Sequence, residues 1–262
     1  MEKFYNIEEQ RFWNDESNWI EGGHEWSEHF GSTEKLWNEY IFDDVKPFRD
    51  KKILEIAPGY GRMTQFLSLM ASELQVIDMN QTCLDKTKEK LKHHVSKYHL
   101  NDGKSLTNCE DNYFDLVFSF DSFVHMHANV IEEYVKEINR VLKPGGTAYI
   151  HHSWFTGGME FSFRNVAGRS NMSPELMKSF VEDNNMQVVN QKSIQFSKTV
   201  DAITIFSKPE TVLKSLTIAT ASLVLIFLSA ISSKKRICPL RNFSESTVYS
   251  AFVFIFLFIF CS

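Results

Sequence analysis

From Lys52 onward the chain alternates short apolar runs with amphipathic stretches. The runs at 53–57, 74–77, 114–120 and 148–151 are continuous and apolar over a strand's length, the pattern of strands buried on both faces. The stretches at 63–70, 81–93 and 130–142 repeat their apolar residues at helical spacing. Strand alternating with helix predicts a parallel sheet whose crossovers are the helices. After Pro174 the order changes: a helix at 175–184 precedes two strands, 187–193 and 202–207, separated by a short polar turn instead of a helix. An antiparallel hairpin is expected there, closing the sheet.

Both ends of the chain depart from this pattern. Residues 1–50 mix acids with Phe4, Tyr5, Phe12, Trp13, Trp19, Trp26, Phe30 and Trp37. The stretch 32–45 reads as a helix capped by Ser32 or Thr33, so the segment is expected to form a helical cover. Beyond Lys208-Pro209 the composition shifts to two apolar runs. The first, 215–232, has about 18 uncharged residues, near the lower limit for a bilayer core of roughly 30 Å, which makes it a transmembrane candidate; the alternative is that one of the runs is a buried helix packed on the domain. The second, 248–261, places Phe252, Phe254, Phe256, Phe258 and Phe260 at alternate positions and suits a strand as well as a helix. The basic loop between them (Lys234, Lys235, Arg236, Arg241) favours the cytosolic side, so a shallow hairpin or a loop resting on anionic headgroups reconciles it with a cytosolic domain. Three regions follow: a cover at 1–50, a catalytic domain at 51–209 and a membrane-associated tail at 210–262.

A chain of 262 residues, 43% hydrophobic and 23% charged, has room for one large core and an appendage. Its formal charge of -5 offers no attraction to phosphate backbones, and no basic stripe interleaved with aromatics precedes residue 208, so nucleic acid is not expected as a partner. Cys83, Cys109, Cys238 and Cys261 form no C-x-x-C pair, which leaves neither a zinc site nor a disulfide framework and suits a reducing compartment. The charged N-terminus lacks a secretory apolar region.

The sharpest motif is Ile53-Leu54-Glu55-Ile56-Ala57-Pro58-Gly59-Tyr60-Gly61-Arg62, a buried strand entering a glycine turn and then a helix. Glycines there let the backbone approach a ligand closely. Thr64 stands where a dinucleotide fingerprint needs its third glycine, so NAD is disfavoured. One helix later the next strand ends in Asp78, placed to accept both ribose hydroxyls of an adenosine. Together with Phe114-Asp115-Leu116-Val117 and Leu142-Lys143-Pro144-Gly145-Gly146, these residues resemble the class I S-adenosylmethionine-dependent methyltransferases, with a domain of the methyltransferase type 11/25 kind. The resemblance spans roughly residues 50–155. It implies a doubly wound, mostly parallel seven-stranded α/β sheet with S-adenosylmethionine as cofactor. By the same resemblance Glu55, Gly59 and Gly61 hold the methionine part, Asp78 the ribose, and Asp102-Gly103 the adenine, with Ser119 also on the cofactor side. Ala57 replaces the first glycine of the usual loop. Gly23-His24-Glu25-Trp26-Ser27 is similar to the cap over the cofactor in related bacterial enzymes.

Methyl transfer from a sulfonium is an in-line displacement in which positioning supplies much of the rate. A hydroxyl acceptor gains from a base. His125, after the fourth strand, and His151 and His152, at the end of the fifth, lie at the edge where open α/β sheets bind ligands. Asp121 could orient a base, bind substrate or cap its turn. Ser119-Phe120-Asp121-Ser122 departs from the Asn/Asp-Pro-Pro-Tyr motif of the family's amino-methylating nucleic-acid enzymes, which favours an oxygen acceptor. The N-terminal tryptophans suit core packing better than a pocket, and His93, His94 and His99 suit solvent. No cluster has metal-site spacing. The leading expectation is a membrane-associated enzyme that methylates a hydroxyl on a small-molecule or lipid-linked acceptor. A non-catalytic cofactor-binding scaffold and a protein or RNA methyltransferase are the alternatives.

Overall fold

The computed structural model describes residue 13 and residues 15–91, 93–155, 168–196 and 199–210. Seven strands form one sheet: β1 (Lys52–Ile56), β2 (Glu73–Asp78), β3 (Lys97–Leu100), β4 (Phe114–Phe123), β5 (Leu142–Ser153), β6 (Gln187–Phe196) and β7 (Thr199–Ser207). Their order is β3-β2-β1-β4-β5-β7-β6. The first five run parallel, and β7 inserts antiparallel between β5 and β6. The chain therefore winds outward from β1 in both directions, and the sheet closes with the expected antiparallel hairpin. The break between the β1 and β4 halves is the topological switch point, where open α/β sheets bind ligands beyond the carboxyl ends of their strands.

Alternation along β1 shows how the sheet is sealed. Ile53 belongs to a core with Leu36, Trp37, Ile41, Met63, Leu67 and Leu84, while Leu54 and Ile56 join Ile131, Tyr134, Val135, Ile138, Met177 and Val181 on the opposite face. The first face is covered by α1 (Thr33–Leu36), the π-helical turn Trp37–Ile41, α2 (Phe42–Val45), α3 (Thr64–Ser68) and α4 (Gln81–Leu91); the second by α5 (Ala128–Val141) and α6 (Pro174–Asp183). In α5 the buried residues Ile131, Tyr134, Val135, Ile138 and Val141 recur at helical spacing, which gives the helix one apolar stripe to set on the sheet. Of the two candidate caps, Ser32 starts the cover helix, its Oγ accepting from the Lys35 N–H at 3.1 Å.

Three expectations need adjusting. The strand expected at 148–151 begins at Leu142, because Leu142-Lys143-Pro144-Gly145-Gly146 stays in the sheet through an irregularity opposite Phe114 and Leu116. Helix 63–70 is shorter, since Met63 still belongs to the turn. His99 is not a solvated surface residue: on β3 its Nε2 pairs with Gln75 Oε1 at 2.8 Å. The described residues belong to one compact unit, within Met1–Thr211. The apolar runs at 215–232 and 248–261 and their basic loop lie outside the described residues, among which no helix is long and apolar enough to cross a membrane.

Candidate active site

β1 ends in a turn whose backbone is left-handed at three positions, Ala57 (φ 57°), Gly59 (φ 56°) and Gly61 (φ 82°). Glycine adopts this conformation at no steric cost, and alanine does so at about 1–2 kcal/mol. The two glycines serve different neighbours. A Cβ on Gly59 would lie 2.6 Å from the Trp19 ring, whereas one on Gly61 would press on Leu91 and Thr87 of α4. Gly59 thus faces the cleft and Gly61 the helix packed behind it.

The cleft opens over the carboxyl ends of β1, β2 and β4 and encloses about 910 Å³, mouth included, which falls in the size range of small-molecule sites. It brings together Glu55, Gly59, Asp78, Gly103 and His125, all expected from the sequence. Gly61, Asp102, Ser119, His151 and His152 do not line it. Asp102 is exposed, and its Oδ1 accepts from the Lys104 and Ser105 N–H groups in its own turn. Ser119 is buried and donates to the Ile56 carbonyl at 2.9 Å, tying β4 to β1. His152 points to the far face of β5, its Nε2 on Thr204 Oγ1 (2.8 Å) and its Nδ1 on the Ser153 carbonyl (2.9 Å); burial pushes its pKa down to about 4.

Two carboxylates stand buried at the cofactor end. Glu55 is pushed up to about 8, first by burial and further by the charge of Asp78, and its Oε2 has no hydrogen-bond partner among the described residues. Asp78 is pushed up to about 7 by burial, against hydrogen bonds such as that from the Asn80 N–H at 2.9 Å. A buried carboxylate without a partner is costly unless a cation or donor meets it. S-adenosylmethionine carries such groups in its ammonium and ribose hydroxyls, so the donor set fits this cofactor.

A cap was expected only at residues 23–27, by resemblance, and the tryptophans were expected to favour the core. Trp13, Trp19 and Trp26 line the cavity, Trp26 also packing against the core, while Trp37 is a core residue. Trp19 stacks on Tyr60 (4.2 Å, 2°) and meets Trp13 and Trp26 at 5.6 and 4.9 Å. The Trp13 carbonyl accepts from Trp19 Nε1 (3.1 Å) and from Asn80 Nδ2 (2.9 Å), which fastens the cover to the end of β2.

At the other end Phe120, Asp121, Ser122, His125, Met126 and Arg62 form the wall. Arg62 donates to Asp121 Oδ2 at 2.7 Å and to Ser27 Oγ at 2.9 Å. His125 Nδ1 lies 2.9 Å from the Gly168 carbonyl. A carbonyl only accepts, so Nδ1 carries the ring proton and Nε2 the lone pair. Burial holds the His125 pKa below the ordinary histidine value, which keeps the ring neutral. Arg62 could have been suspected from the glycine motif it ends; the tryptophans carried no local signal separating them from core residues. Among the described residues no group of His, Cys, Asp and Glu is placed to hold a metal ion.

A doubly wound sheet with a glycine turn, an acidic β2 terminus and a roofed cleft defines a nucleoside-cofactor enzyme of the α/β class. Residues 54–150 match the family model described as a methyltransferase domain. The chain thus carries a methyltransferase domain over these residues, with S-adenosylmethionine as its cofactor. No curated protein matches it in sequence. Among solved structures it is similar to a Leishmania major S-adenosylmethionine-dependent methyltransferase, with a TM-score of 0.60 at 14% identity over 79% of this chain and 84% of that one. A Methanosarcina mazei S-adenosylmethionine-dependent methyltransferase gives 0.51 at 14% identity over 64% and 98%. The cyclase SpnF gives 0.54 at 16% identity over 65% and 80%. At such identities these likenesses concern the fold alone.

Proposed function

We propose that the enzyme transfers the methyl group to a hydroxyl of a small-molecule or lipid-linked acceptor, with His125 as the base. The observation that carries this reading is the His125 tautomer in the cleft wall, with the proton on Nδ1 against Gly168 and the lone pair on Nε2. Bound in the cleft, S-adenosylmethionine supplies an electrophilic methyl on a positively charged sulfur. Asp78 would accept from the ribose hydroxyls, and the unpartnered Glu55 Oε2 would receive the ammonium. Trp13, Trp19 and Trp26 keep water from the cleft, which strengthens every charge interaction inside it. His125 takes the acceptor's proton at Nε2 as the oxygen attacks, and Gly168 stabilises the resulting imidazolium at Nδ1. The lipid-linked form of the acceptor, and a membrane-attached enzyme with its domain in the cytoplasm, rest on the apolar runs at 215–232 and 248–261 and the basic loop between them.

The full chain, given methyl-labelled cofactor and parallel panels of small and lipid-linked alcohols, phenols and amines, should label oxygen. His125→Asn should lower turnover by about 10²–10⁴-fold, the usual worth of a general base, with cofactor affinity unchanged. Asp78→Asn should instead weaken cofactor binding by about 10–100-fold, the worth of hydrogen bonds to a charged group. Labelled nitrogen together with an indifferent His125 variant would refute the hydroxyl reading. Failure of the full chain to sediment with anionic vesicles would remove the membrane.

A further inference from the structure

Behind the acceptor end of the cleft lies a chain of buried polar groups that the transfer chemistry does not use. It starts at Asp121, which holds φ 63° without being glycine. Its backbone N–H donates to His151 Nδ1 at 3.0 Å. Its carboxylate takes Arg62, which in turn grips Ser27 of the N-terminal cover. Asp121 and Arg62 both line the cavity; His151 does not, although its ring stacks on Phe120, which does (4.3 Å, 26°).

Because Nδ1 accepts, the His151 ring proton lies on Nε2, 3.4 Å from Asp201 Oδ2. Asp201 is fully buried and receives Arg169 through Nε (3.0 and 3.1 Å) and Nη2 (2.6 Å). Arg169 follows Gly168, whose carbonyl fixes His125, and the next residue, Ser170, donates its N–H to the Val124 carbonyl at 2.8 Å. β4, β5, β7 and the segment returning at residue 168 are therefore tied together directly behind the wall that carries Asp121 and His125.

We propose that His151 is a positioning residue. It holds Asp121 in its left-handed conformation, so that the Asp121 carboxylate fixes Arg62 at the acceptor end of the cleft. Asp201, buttressed by Arg169, holds His151 in the one tautomer that accepts from the Asp121 amide. The consequence for turnover rests on the cleft being a methyl-transfer site; the hydrogen-bond chain itself does not.

The test compares His151→Asn with His151→Leu in the full chain. Asparagine offers an acceptor oxygen near the position of Nδ1, and leucine offers none. Hydrogen exchange at the Asp121 amide, followed by NMR, should be slow in the native protein and in His151→Asn and about 100-fold faster in His151→Leu. With whichever acceptor the panels identify, His151→Leu should lose about 10²-fold in turnover and raise KM for the acceptor, the scale of a misplaced wall, while His151→Asn stays within about tenfold. Cofactor affinity should stay within about threefold in both, because Glu55 and Asp78 are untouched. Equal loss of turnover in the two variants with the Asp121 amide still protected would make His151 a participant in the chemistry and overturn the proposal. So would a fast-exchanging Asp121 amide in the native protein. Should His151→Leu not fold, Asp201→Asn carries the test: it should speed exchange at Asp121 about tenfold, and no change there refutes the positioning chain. If the panels yield no acceptor, the hydroxyl reading fails while amide exchange still decides this proposal.

Discussion

Ala57 is the residue at which the glycine loop departs from the usual motif, and it adopts φ 57° all the same. The left-handed conformation costs a non-glycine residue about 1–2 kcal/mol, whereas glycine adds about 0.5–1 kcal/mol of unfolded-chain entropy. Ala57→Gly should therefore stabilise the protein by about 0.5–1 kcal/mol, read as a higher urea midpoint at unchanged slope. An unaltered or lower midpoint would mean that the neighbouring contacts, including the Ala57 N–H bond to the Ile77 carbonyl at 2.8 Å, carry the turn without strain. The same residues show why this part of the site was legible in the sequence. Close approach of backbone to ligand demands glycine at a strand's end, and a ribose demands a carboxylate one strand on, so Gly59, Glu55 and Asp78 declare themselves locally. His151, Asp201 and Arg169 do not. They come from separate strands and a loop, and what each does is set by its partner across the fold, which no spacing along the chain reveals.

At the scale of elements the tightest dependence is between the cover and the loop after β1. Trp19 lies so close over Gly59 that any side chain there would meet its ring, with the ideal Cβ 2.6 Å from it. Gly59→Ala should cost about 2–5 kcal/mol, the sum of a left-handed alanine and an overpacked contact. In a Trp19→Ala background only the conformational part, about 1–2 kcal/mol, should remain. A double-mutant cycle by denaturant unfolding should thus show a coupling of about 1–3 kcal/mol, and additive costs would place the Trp19 ring elsewhere. The cover also marks where reading by periodicity stops. Tryptophans at helical spacing have the same apolar pattern whether they fill a core, as Trp37 does, or roof a cleft, as Trp19 does. β3 escaped for a related reason: Lys97–Leu100 is a short edge strand with no fully buried residue, so it lacks the apolar run that exposed its neighbours. The hairpin was legible because a polar turn too short for a helix leaves two adjacent strands only the antiparallel option.

For the molecule as a whole the buried carboxylates set a pH dependence. Asp78 and Glu55 stand at about 7 and about 8 in the fold, against 3.8 and 4.5 for free side chains. Between those limits the folded state binds more protons than the unfolded one, so their contribution to stability is whole below about pH 4 and is lost as pH rises through 7 to 8. His152, lowered to about 4 from 6.5, works in the opposite sense: its contribution is present above 6.5 and lost as pH falls through 4. His125 is also lowered, in the same sense. The opposing groups mask one another below pH 6.5, and above it the carboxylate pair titrates with the histidines already neutral. The free enzyme's Tm should consequently fall between pH 6.5 and 8.5, each carboxylate contributing up to about 1.4 kcal/mol per pH unit while it titrates. In the proposed binding mode S-adenosylmethionine would bring its ammonium to Glu55 and its ribose hydroxyl donors to Asp78, and both favour the ionised carboxylate. Saturating cofactor should flatten the slope, its affinity should rise with pH over the same range, and titration calorimetry in two buffers of different ionisation heat should count protons released on binding. A Tm that holds level or rises from 6.5 to 8.5, with no proton released, would mean that Glu55 and Asp78 are already ionised in the empty cleft. Asp78→Asn separates the two roles, because it removes a charge the fold disfavours and an acceptor the ribose needs. At pH 8 it should raise the stability of the free enzyme while weakening its hold on the cofactor.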